Sequence, residues 1–386
     1  MKYLIHMVGI LLIRPFLTKP DPNLLDRQLP LNIFYVSLAF RGDLVVNFPT
    51  IAEIKKQFPN SRLTCWVREF NMPLARLNPD INEVYSYDNL SHSVLKAVFE
   101  FASGIKHRKL IEKLSGYDIY FDDAGYAFTA IAGFKAHIPL RLGRNSQGFG
   151  FLNHFEIPYA LNSQLIEKRL KLLNPFGIFL SLKDIHKPYF KIDAEIARRF
   201  LVELGIDKAD YFTVQPFAGW DSKNWGIDKY CQVIKKFSET SGLLPVLWGS
   251  EKEADICEEA LKRHQIRAIN ICGKADLDKS AFVISLAKLH FGPDSVGSHL
   301  AISLGVKSLT IFGPTNPYLS AYLGGINFGV LKRTRCTAKP DKMNCCFDGG
   351  VSCRRAISMK ELGVDEVLKV LTDIWTGKEK RLVIEL

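Results

Sequence analysis

The stretch FGPDSVGSHLAISLGVKSLTIFGPT, residues 291–315, places an acid, hydroxyls, a glycine and a histidine directly after an apolar run. Asp294, Ser295, Gly297 and His299 all precede or begin a predicted helix. Unpaired backbone amides at a helix N-terminus bind anions, and a nearby serine and glycine favour that use. Asp294 is suited to bind sugar hydroxyls or to orient a donor. The spacing therefore predicts a turn that binds a phosphorylated ligand.

A second polar turn, SLAFRGDLVV at residues 37–46, follows another apolar stretch. Gly42 permits a tight turn beside Arg41, and Asp43 falls at the start of the next helix. An aspartate there is commonly an N-cap, which contributes about 1 kcal/mol. It can equally act as a general base that takes a proton from a reacting hydroxyl. The local sequence leaves both interpretations open.

A third turn, PFAGWDSKNWGIDKY at residues 216–230, offers Ser222 and Lys223 between two tryptophans. A lysine beside a helix start suits a phosphate, because its ammonium and the backbone amides act together. The alternative is a solvated loop lysine.

A fourth turn, WGSEKEAD at residues 248–255, carries Glu251 and Glu253 after a strand that ends in Gly249. A carboxylate at such a strand end can bind the two hydroxyls of a ribose. Acids in a first helical turn are also favourable to the helix dipole without any ligand.

Apolar runs and helical periodicity alternate along the chain and then restart, which predicts two parallel sheets with helices on both faces. Strands are predicted at 32–38, 61–67, 82–88, 117–123, 211–217, 243–249, 268–271, 289–294 and 307–313. Helices are predicted at 43–58, 70–77, 93–115, 228–241, 251–264, 279–288 and 297–305. Residues 176–192 lack periodicity and read as a linker. Two doubly wound domains imply a cleft between them, with ligands bound beyond the carboxyl ends of the strands.

The chain has 386 residues, 47% of them hydrophobic, and a formal net charge of +11. This length favours two domains, and the basic excess favours anionic partners such as phosphates or an acidic membrane face. A generally basic surface without a dedicated partner is the alternative. A dehydrogenase is disfavoured because no G-x-G-x-x-G follows a strand. No basic stripe with interleaved aromatic residues indicates a nucleic-acid binder.

The first residues form an apolar run, YLIHMVGILLI at 3–13, which is too short to span a bilayer. It matches a signal peptide poorly, because it lacks a small-x-small cleavage site. Lys2, Arg14 and Lys19 flank it, as expected of a helix that lies on an anionic membrane surface. A helix packed on the domain is the alternative. No later segment reads as a transmembrane helix.

The eight cysteines divide into two groups. Those within apolar or helical patterns are interpreted as small buried residues: Cys65, Cys231, Cys257 and Cys272. The others cluster in one glycine-containing stretch: Cys336, Cys345, Cys346 and Cys353. The cluster could bind zinc, form a disulfide or remain an unlinked loop.

Four motifs in order resemble those of glycosyltransferase family 9, typified by the ADP-heptose:lipopolysaccharide heptosyltransferases. They are RGDLVVNFPTI, SKNWGIDKY, WGSEKE and DSVGSHLAISLGVKSLTIFGPTNP, and the tail CRRAISMKELGVDEVLKVL is also similar. The resemblance covers about residues 31–375. It implies a GT-B fold of two Rossmann-like domains that face a central cleft.

The resemblance also implies how the chain is divided. The expected parts are an apolar, basic extension at 1–30, an acceptor-binding domain at 31–180, a nucleotide-sugar-binding domain at 181–360, and a C-terminal helix and tail at 361–386. The expected donor is ADP-heptose, and the expected acceptor is lipopolysaccharide or a lipid-linked glycan. An enzyme of this kind is expected in the cytoplasm, peripheral at the inner face of the cell membrane. No cofactor and no nucleic-acid partner are expected.

By the same resemblance, Asp43 matches the catalytic base, Lys223 the diphosphate-binding lysine and Glu253 a ribose-binding glutamate. Asp294, Ser295 and His299 match the donor turn. The remaining predicted substrate-binding residues are Arg41, Gly42, Ser222, Gly297, Gly313 and Thr315.

One base and no evident nucleophile pair indicate a single-displacement, inverting transfer, and the lack of a D-x-D element argues against a catalytic metal. One departure from the family pattern is Val296, which stands between Ser295 and Gly297. Because a β-branched residue resists positive φ, a reshaped turn is expected there. The alternatives are a GT-B enzyme with another nucleotide sugar, a sugar-nucleotide epimerase, and a catalytically silent binding protein.

Overall fold

The computed structural model describes residues 2–12, 17–87, 93–102, 106–158, 163–185, 188–206, 210–320, 325–334 and 355–386. The chain forms two compact units, Met1–Tyr189 and Phe190–Leu386, called unit 1 and unit 2 below. The cysteine cluster at 336–353 and Arg14 lie outside the described residues.

Unit 1 contains a parallel sheet with the strand order β3-β2-β1-β4-β5-β6. Its described strands are β1 (Asn32–Ser37), β2 (Arg62–Val67), β3 (Glu83–Ser86), β4 (Ile119–Asp122), β5 (Leu140–Arg144) and β6 (Phe155–Ile157). Its described helices are α1 (Lys2–Leu12), α2 (Arg41–Gln57), α3 (Met72–Arg76), α4 (Val94–Ala102), α5 (Arg108–Leu114), α6 (Ala127–Lys135) and α7 (Leu165–Leu170). β1 is buried almost throughout, because its neighbours in the sheet and the flanking helices cover it.

The sequence predicts the first four strands of unit 1, misses the helices α6 and α7, and differs from the structure in two further respects. The helix expected over 93–115 is two helices, α4 and α5. β5 and β6 were not predicted, because LRLGR carries two arginines and FEI is three residues long. Neither segment has the apolar run that marks a buried strand.

Unit 2 repeats the architecture with the strand order β13-β12-β11-β10-β7-β8-β9. Its described strands are β7 (Tyr211–Val214), β8 (Leu244–Leu247), β9 (Ile269–Asn270), β10 (Leu289–Pro293), β11 (Ser308–Phe312), β12 (Asn327–Leu331) and β13 (Val383–Glu385). Its described helices are α8 (Ala194–Glu203), α9 (Ile227–Ser241), α10 (Glu251–Arg263), α11 (Leu277–Ser285), α12 (Val296–Leu304), α13 (Pro317–Ser320), α14 (Ile357–Glu361) and α15 (Val364–Trp375). All of the paired strands are parallel.

The C-terminal tail is built into unit 2. Val370 and Ile374 of α15 belong to the main core of this unit. β13 pairs with β12 at the sheet edge, and it was not predicted because it has only three residues. The four scattered cysteines are buried and free, as predicted.

The strands that precede the polar turns are packed into the core of each unit by aromatic contacts. In unit 1, Phe34 of β1 packs edge-on against Trp66 and stacks on Tyr120. In unit 2, Phe291 of β10 packs against Tyr230 and Trp225. Burial of one such ring contributes about 1.5–3 kcal/mol. This packing fixes the end of each strand and therefore the position of the turn that follows it.

Candidate functional site

Asp43 lies in the first turn of α2, immediately beyond β1. The N-cap of α2 is Phe40, which has no capping side chain, so the N-cap interpretation of Asp43 is wrong. The Asp43 side chain is 41% exposed, and its Oδ1 lies 3.5 Å from Nη2 of Arg169. An acid at this position is favourable to the helix dipole and remains accessible to a ligand.

Arg169 connects Asp43 to two further buried charges. Its Nη1 lies 2.8 Å from Oδ2 of Asp123, just beyond β4. The other oxygen of Asp123 pairs with Nε of Arg144 at 2.9 Å. Arg169, Asp123 and Arg144 are all buried. Asp43 is thus the exposed end of a chain of alternating charges.

Sequence reasoning missed Arg169, which contacts Asp43, and the two charged residues linked to Asp43 through it. Asp123, Arg144 and Arg169 come from segments far apart in sequence. The available signal was the pair of acids that closes the apolar run YDIYFDD at 117–123, since an acid at a strand end is uncommon without a partner.

Arg41 and Gly42 begin α2. Gly42 has no positive φ and lies in a helical backbone, so the tight turn predicted there is wrong. The exposed guanidinium of Arg41 lies 5.1 Å from the centre of the Phe70 ring. This contact orients Arg41 without burying it.

Unit 2 gathers its predicted residues around Asp294, which follows β10. Lys223 donates from Nζ to Oδ2 of Asp294 at 2.8 Å and to its backbone carbonyl at 2.9 Å. The Thr315 hydroxyl donates to the same Oδ2 at 2.7 Å. Nε2 of His299 lies 3.5 Å from Oδ1. Four predicted residues from two separate motifs are therefore in one contact group.

The charge state of Asp294 follows from this group. Burial by itself would raise the pKa of the carboxyl. The Lys223 ammonium, with smaller contributions from His299 and Thr315, outweighs burial and holds the pKa below its ordinary value. Asp294 is therefore an anion at neutral pH.

Lys223 is not a solvated loop lysine. Its side chain is 14% exposed, and Nζ lies 4.5 Å from the centre of the Trp220 ring. An ammonium has three N–H donors, of which the Asp294 contacts occupy two. The lysine is held in place and retains donor capacity.

The N-terminus of α12 differs in detail from the prediction. Ser295 is the N-cap, and Val296 is the first residue of α12 and has no positive φ, so its backbone is unstrained. A reshaping of the turn relative to the family stays a prediction. The Gly297 amide donates to Oε1 of Gln215 at 2.9 Å and is not available to an anion. A Cβ at Gly297 would lie 2.4 Å from Cζ2 of Trp248, so close packing requires the glycine.

Ser222 precedes Lys223 in the chain, and a Cβ at Gly313 would lie 3.5 Å from the Ser222 carbonyl oxygen. The Ser222 hydroxyl is buried and has no hydrogen-bond partner among the described residues. A Cβ at Gly313 would meet the Met359 side chain at 2.6 Å. A buried hydroxyl without a partner is the kind of group that a ligand satisfies.

Glu253 lies in a separate turn, after β8. Its Oε2 accepts from the Ser250 amide at 2.7 Å and completes a capping box at the start of α10. The same oxygen would lie 2.3 Å from a Cβ at Gly249. The structure therefore gives Glu253 a role in its own helix start, whether or not it also contacts a ribose.

Beneath the α12 turn lies a buried histidine that sequence reasoning missed. Burial lowers the pKa of His290 to about 3. Its Nδ1 lies 3.0 Å from the Thr213 hydroxyl. The turn at the start of α12 therefore packs on the neutral imidazole of His290 and on the side chains of Gln215 and Trp248. The sequence signal for this buried polar group was Gln215, a polar residue at the end of an apolar strand.

These two sites, each at the carboxyl ends of a parallel sheet, define a class of protein. Two doubly wound α/β units, one with a base-like aspartate and the other with a lysine beside a helix start, are typical of GT-B glycosyltransferases that use nucleotide sugars. Among the described residues, no group of three or more metal-ligating side chains is assembled.

The comparison with known families assigns the chain. Residues 108–346 match glycosyltransferase family 9 (heptosyltransferase), and the chain belongs to that family. It is therefore a glycosyltransferase, as the sequence motifs predicted.

Curated relatives agree over most of the chain. Lipopolysaccharide heptosyltransferase 3 of Escherichia coli K12 is 23% identical over 288 residues, which cover 72% of this chain and 81% of that protein. Lipooligosaccharide heptosyltransferase 2 of Campylobacter jejuni is 23% identical over 291 residues, 74% of this chain and 82% of that protein.

Solved structures confirm the GT-B fold. An E. coli ADP-heptose LPS heptosyltransferase II has a TM-score of 0.71 at 18% identity and covers 91% of this chain and 100% of its own. A family 9 glycosyltransferase from Veillonella parvula has a TM-score of 0.69 at 17% identity, and the match covers 91% of this chain and 100% of that protein.

Proposed function

We propose that this protein transfers a heptosyl residue from ADP-heptose to the core of a lipopolysaccharide, with inversion at the anomeric carbon. The observation that carries the proposal is the Lys223 ammonium, fixed by buried Asp294 beside the N-terminus of α12. Membership of a heptosyltransferase family and the substrates named for its relatives support this choice of sugar.

Unit 2 is proposed to bind the nucleotide sugar. The departing diphosphate gains negative charge, and a lysine with one N–H still available can stabilise it. The buried Ser222 hydroxyl adds a further donor beside Lys223. Asp294 serves this site indirectly, because it holds Lys223 and Thr315 in place.

Unit 1 is proposed to bind the acceptor. Asp43 takes the proton from the acceptor hydroxyl as its oxygen attacks the anomeric carbon. The bond from that carbon to the diphosphate oxygen breaks, and the diphosphate leaves with the electron pair. This role requires a carboxylate that a ligand can reach, which fits the 41% exposure of Asp43.

The direct test is a transfer assay with a heptose-deficient lipopolysaccharide and three donors: ADP-heptose, a UDP-sugar and a GDP-sugar. Mass spectrometry of the acceptor reads the result. Heptose addition from ADP-heptose is expected. Transfer from a UDP- or GDP-sugar, with none from ADP-heptose, would overturn the donor assignment.

The acceptor is proposed to be anionic, and the net charge of +11 supports electrostatic attraction to it. Exposed charges are screened over about 8 Å at physiological salt. Apparent acceptor affinity should therefore fall as salt rises, whereas an affinity that is independent of salt would refute the electrostatic part.

We further propose that α1 contacts an anionic membrane surface at the cytoplasmic face. One side of α1 packs on unit 1, where Gly9 adjoins the Phe151 ring. Its other side exposes Met7, Leu11 and Leu12 by 62, 69 and 65%. Among the described residues, no helix combines the length and apolarity needed to cross a bilayer. One face of α1 is thus packed on unit 1, and the opposite face is available to contact a membrane surface.

Flotation with phosphatidylglycerol vesicles tests this contact. Leu11→Gln with Leu12→Gln should reduce the bound fraction, because each removes an exposed apolar side chain from the lipid interface. Ile256→Gln, at a 47% exposed position in unit 2, is the matched control. Equal flotation of wild type and both variants would remove the membrane contact.

A further inference from the structure

The guanidinium of Arg169 faces two carboxylates with different surroundings. Nη1 lies 2.8 Å from Asp123, which is buried, and Nη2 lies 3.5 Å from half-exposed Asp43. A planar guanidinium presents its donors in a fixed fork. With Nη1 fixed by Asp123, the position of Nη2 beside Asp43 is fixed as well.

The lengths of the two contacts indicate different roles. A separation of 2.8 Å is a charge-assisted hydrogen bond, whereas 3.5 Å is an ion pair beyond good hydrogen-bond length. The longer contact limits the rotation of the Asp43 carboxylate while leaving its oxygens able to accept a proton.

The rest of the cluster prevents Arg169 from moving. Arg144 pairs with the other oxygen of Asp123 at 2.9 Å, so the partner that fixes Nη1 of Arg169 is itself held. Asp43 and Asp123 face Arg144 and Arg169, and the buried Lys168 repels both arginines. Arg169 is therefore held mainly through Asp123.

We infer that Arg169 is a positioning residue for the transfer reaction, which holds the Asp43 carboxylate in the orientation that accepts the proton of the acceptor hydroxyl. The inference rests on the proposed function, in which Asp43 is the general base. Arg169 acts through Asp43 and has no separate contact with the sugar.

A double-mutant cycle tests this inference with the full-length protein, ADP-heptose and the heptose-deficient lipopolysaccharide. The variants are Arg169→Met, Asp43→Asn and the double variant. Arg169→Met should lower kcat by about a hundredfold with little change in acceptor KM, because misplacement of a catalytic group by about 1 Å can cost this much. In the Asp43→Asn background the same substitution should lower kcat less than threefold.

Two further variants separate positioning from folding. Arg141→Met is the matched control, because Arg141 is another buried arginine of unit 1 and donates to the backbone carbonyls of Ile138 and Leu152. It should lose thermal stability while keeping kcat within about threefold. Arg169→Lys keeps the charge but loses the fork. If Arg169→Met does not fold, Arg169→Lys replaces it in the cycle, with kcat expected between those of Arg169→Met and wild type.

The outcomes separate the inference from the proposed function. Near-wild-type kcat in Asp43→Asn would refute the base and the inference together. A large loss in Asp43→Asn with additive effects in the cycle would refute only the positioning role. A rise in acceptor KM at unchanged kcat in Arg169→Met would instead make Arg169 a binding residue and overturn the inference.

Discussion

Asp43 and Asp294 occupy comparable places, since each follows a buried parallel strand and adjoins the start of a helix. Their surroundings are opposite. The Asp43 side chain is 41% exposed with a guanidinium 3.5 Å away, whereas that of Asp294 is 3% exposed with two donors within 2.8 Å.

The difference shows how one residue type serves two purposes at a strand end. A half-exposed carboxylate without a close donor can exchange a proton with a ligand. A buried carboxylate with several donors is a fixed anion that holds its neighbours in place. Burial and partners, rather than the motif, separate the proposed base from the proposed clamp.

The largest expected effect comes from substituting the two aspartates in parallel. Asp43→Asn should lower turnover about a hundredfold or more with little loss of stability, because a general base is removed. Asp294→Ala should instead reduce the free energy of unfolding by about 3 kcal/mol, since Lys223 loses its buried partner. Turnover assays measure the first effect, and urea unfolding measures the change in the free energy of unfolding.

Asp365→Asn is the control for the first substitution, because Asp365 is also a first-turn acid, in α15. It should leave turnover unchanged. If Asp294→Ala lost turnover without losing stability, and Asp43→Asn the reverse, the assignment of base and clamp would be interchanged.

Lys223→Ala should weaken ADP binding by about ten- to a hundredfold, the cost of one charged hydrogen-bond donor. Transfer should fall with it, since the leaving diphosphate loses its cation. Isothermal titration with ADP measures the affinity. Lys229→Ala is the control, because Lys229 donates to backbone carbonyls of the α14 segment. Equal ADP affinities in wild type and Lys223→Ala would place the diphosphate elsewhere.

A smaller expected effect is that the stability of the two units depends on pH in different ways. In unit 2, burial lowers the pKa of His290 to about 3 from an ordinary 6.5. As pH falls, His290 is therefore protonated in the unfolded chain before it is protonated in the folded state. The folded state loses stability from this group as pH falls from about 6.5 towards 3. The slope is at most about 1.4 kcal/mol per pH unit.

In unit 1, Asp122 contributes the opposite slope, and His154, whose pKa is lowered by burial to about 4, offsets part of it between about pH 4 and 6.5. Burial raises the pKa of Asp122 to about 7 from an ordinary 3.8, so the folded state retains the proton longer. That contribution is complete below about 3.8 and is lost as pH rises to about 7. Hydrogen exchange at several pH values reports each unit separately. His290→Gln should flatten the dependence of unit 2 and Asp122→Asn that of unit 1; parallel profiles in all three proteins would contradict the assignment.

Much of the fold follows from the sequence, because apolar runs and helical periodicity are local. The elements around all four polar turns lie close to their predicted positions; α9, for example, was expected at 228–241 and is found at Ile227–Ser241. The helices α6, α7 and α8 were missed. The missed strands, β5, β6, β12 and β13, are short or carry charged residues or glycine. Their pairing depends on neighbouring strands rather than on a pattern of their own.

The sequence by itself determined the family, the strands and helices around the polar turns, and the residues at the strand ends. Only the tertiary structure decided what those residues contact. It placed Lys223 on Asp294, assigned Glu253 to a helix cap and directed the Gly297 amide to Gln215. It also brought Arg169 beside Asp43. Such contacts join residues far apart in the chain, and their energies depend on burial, which no local pattern specifies.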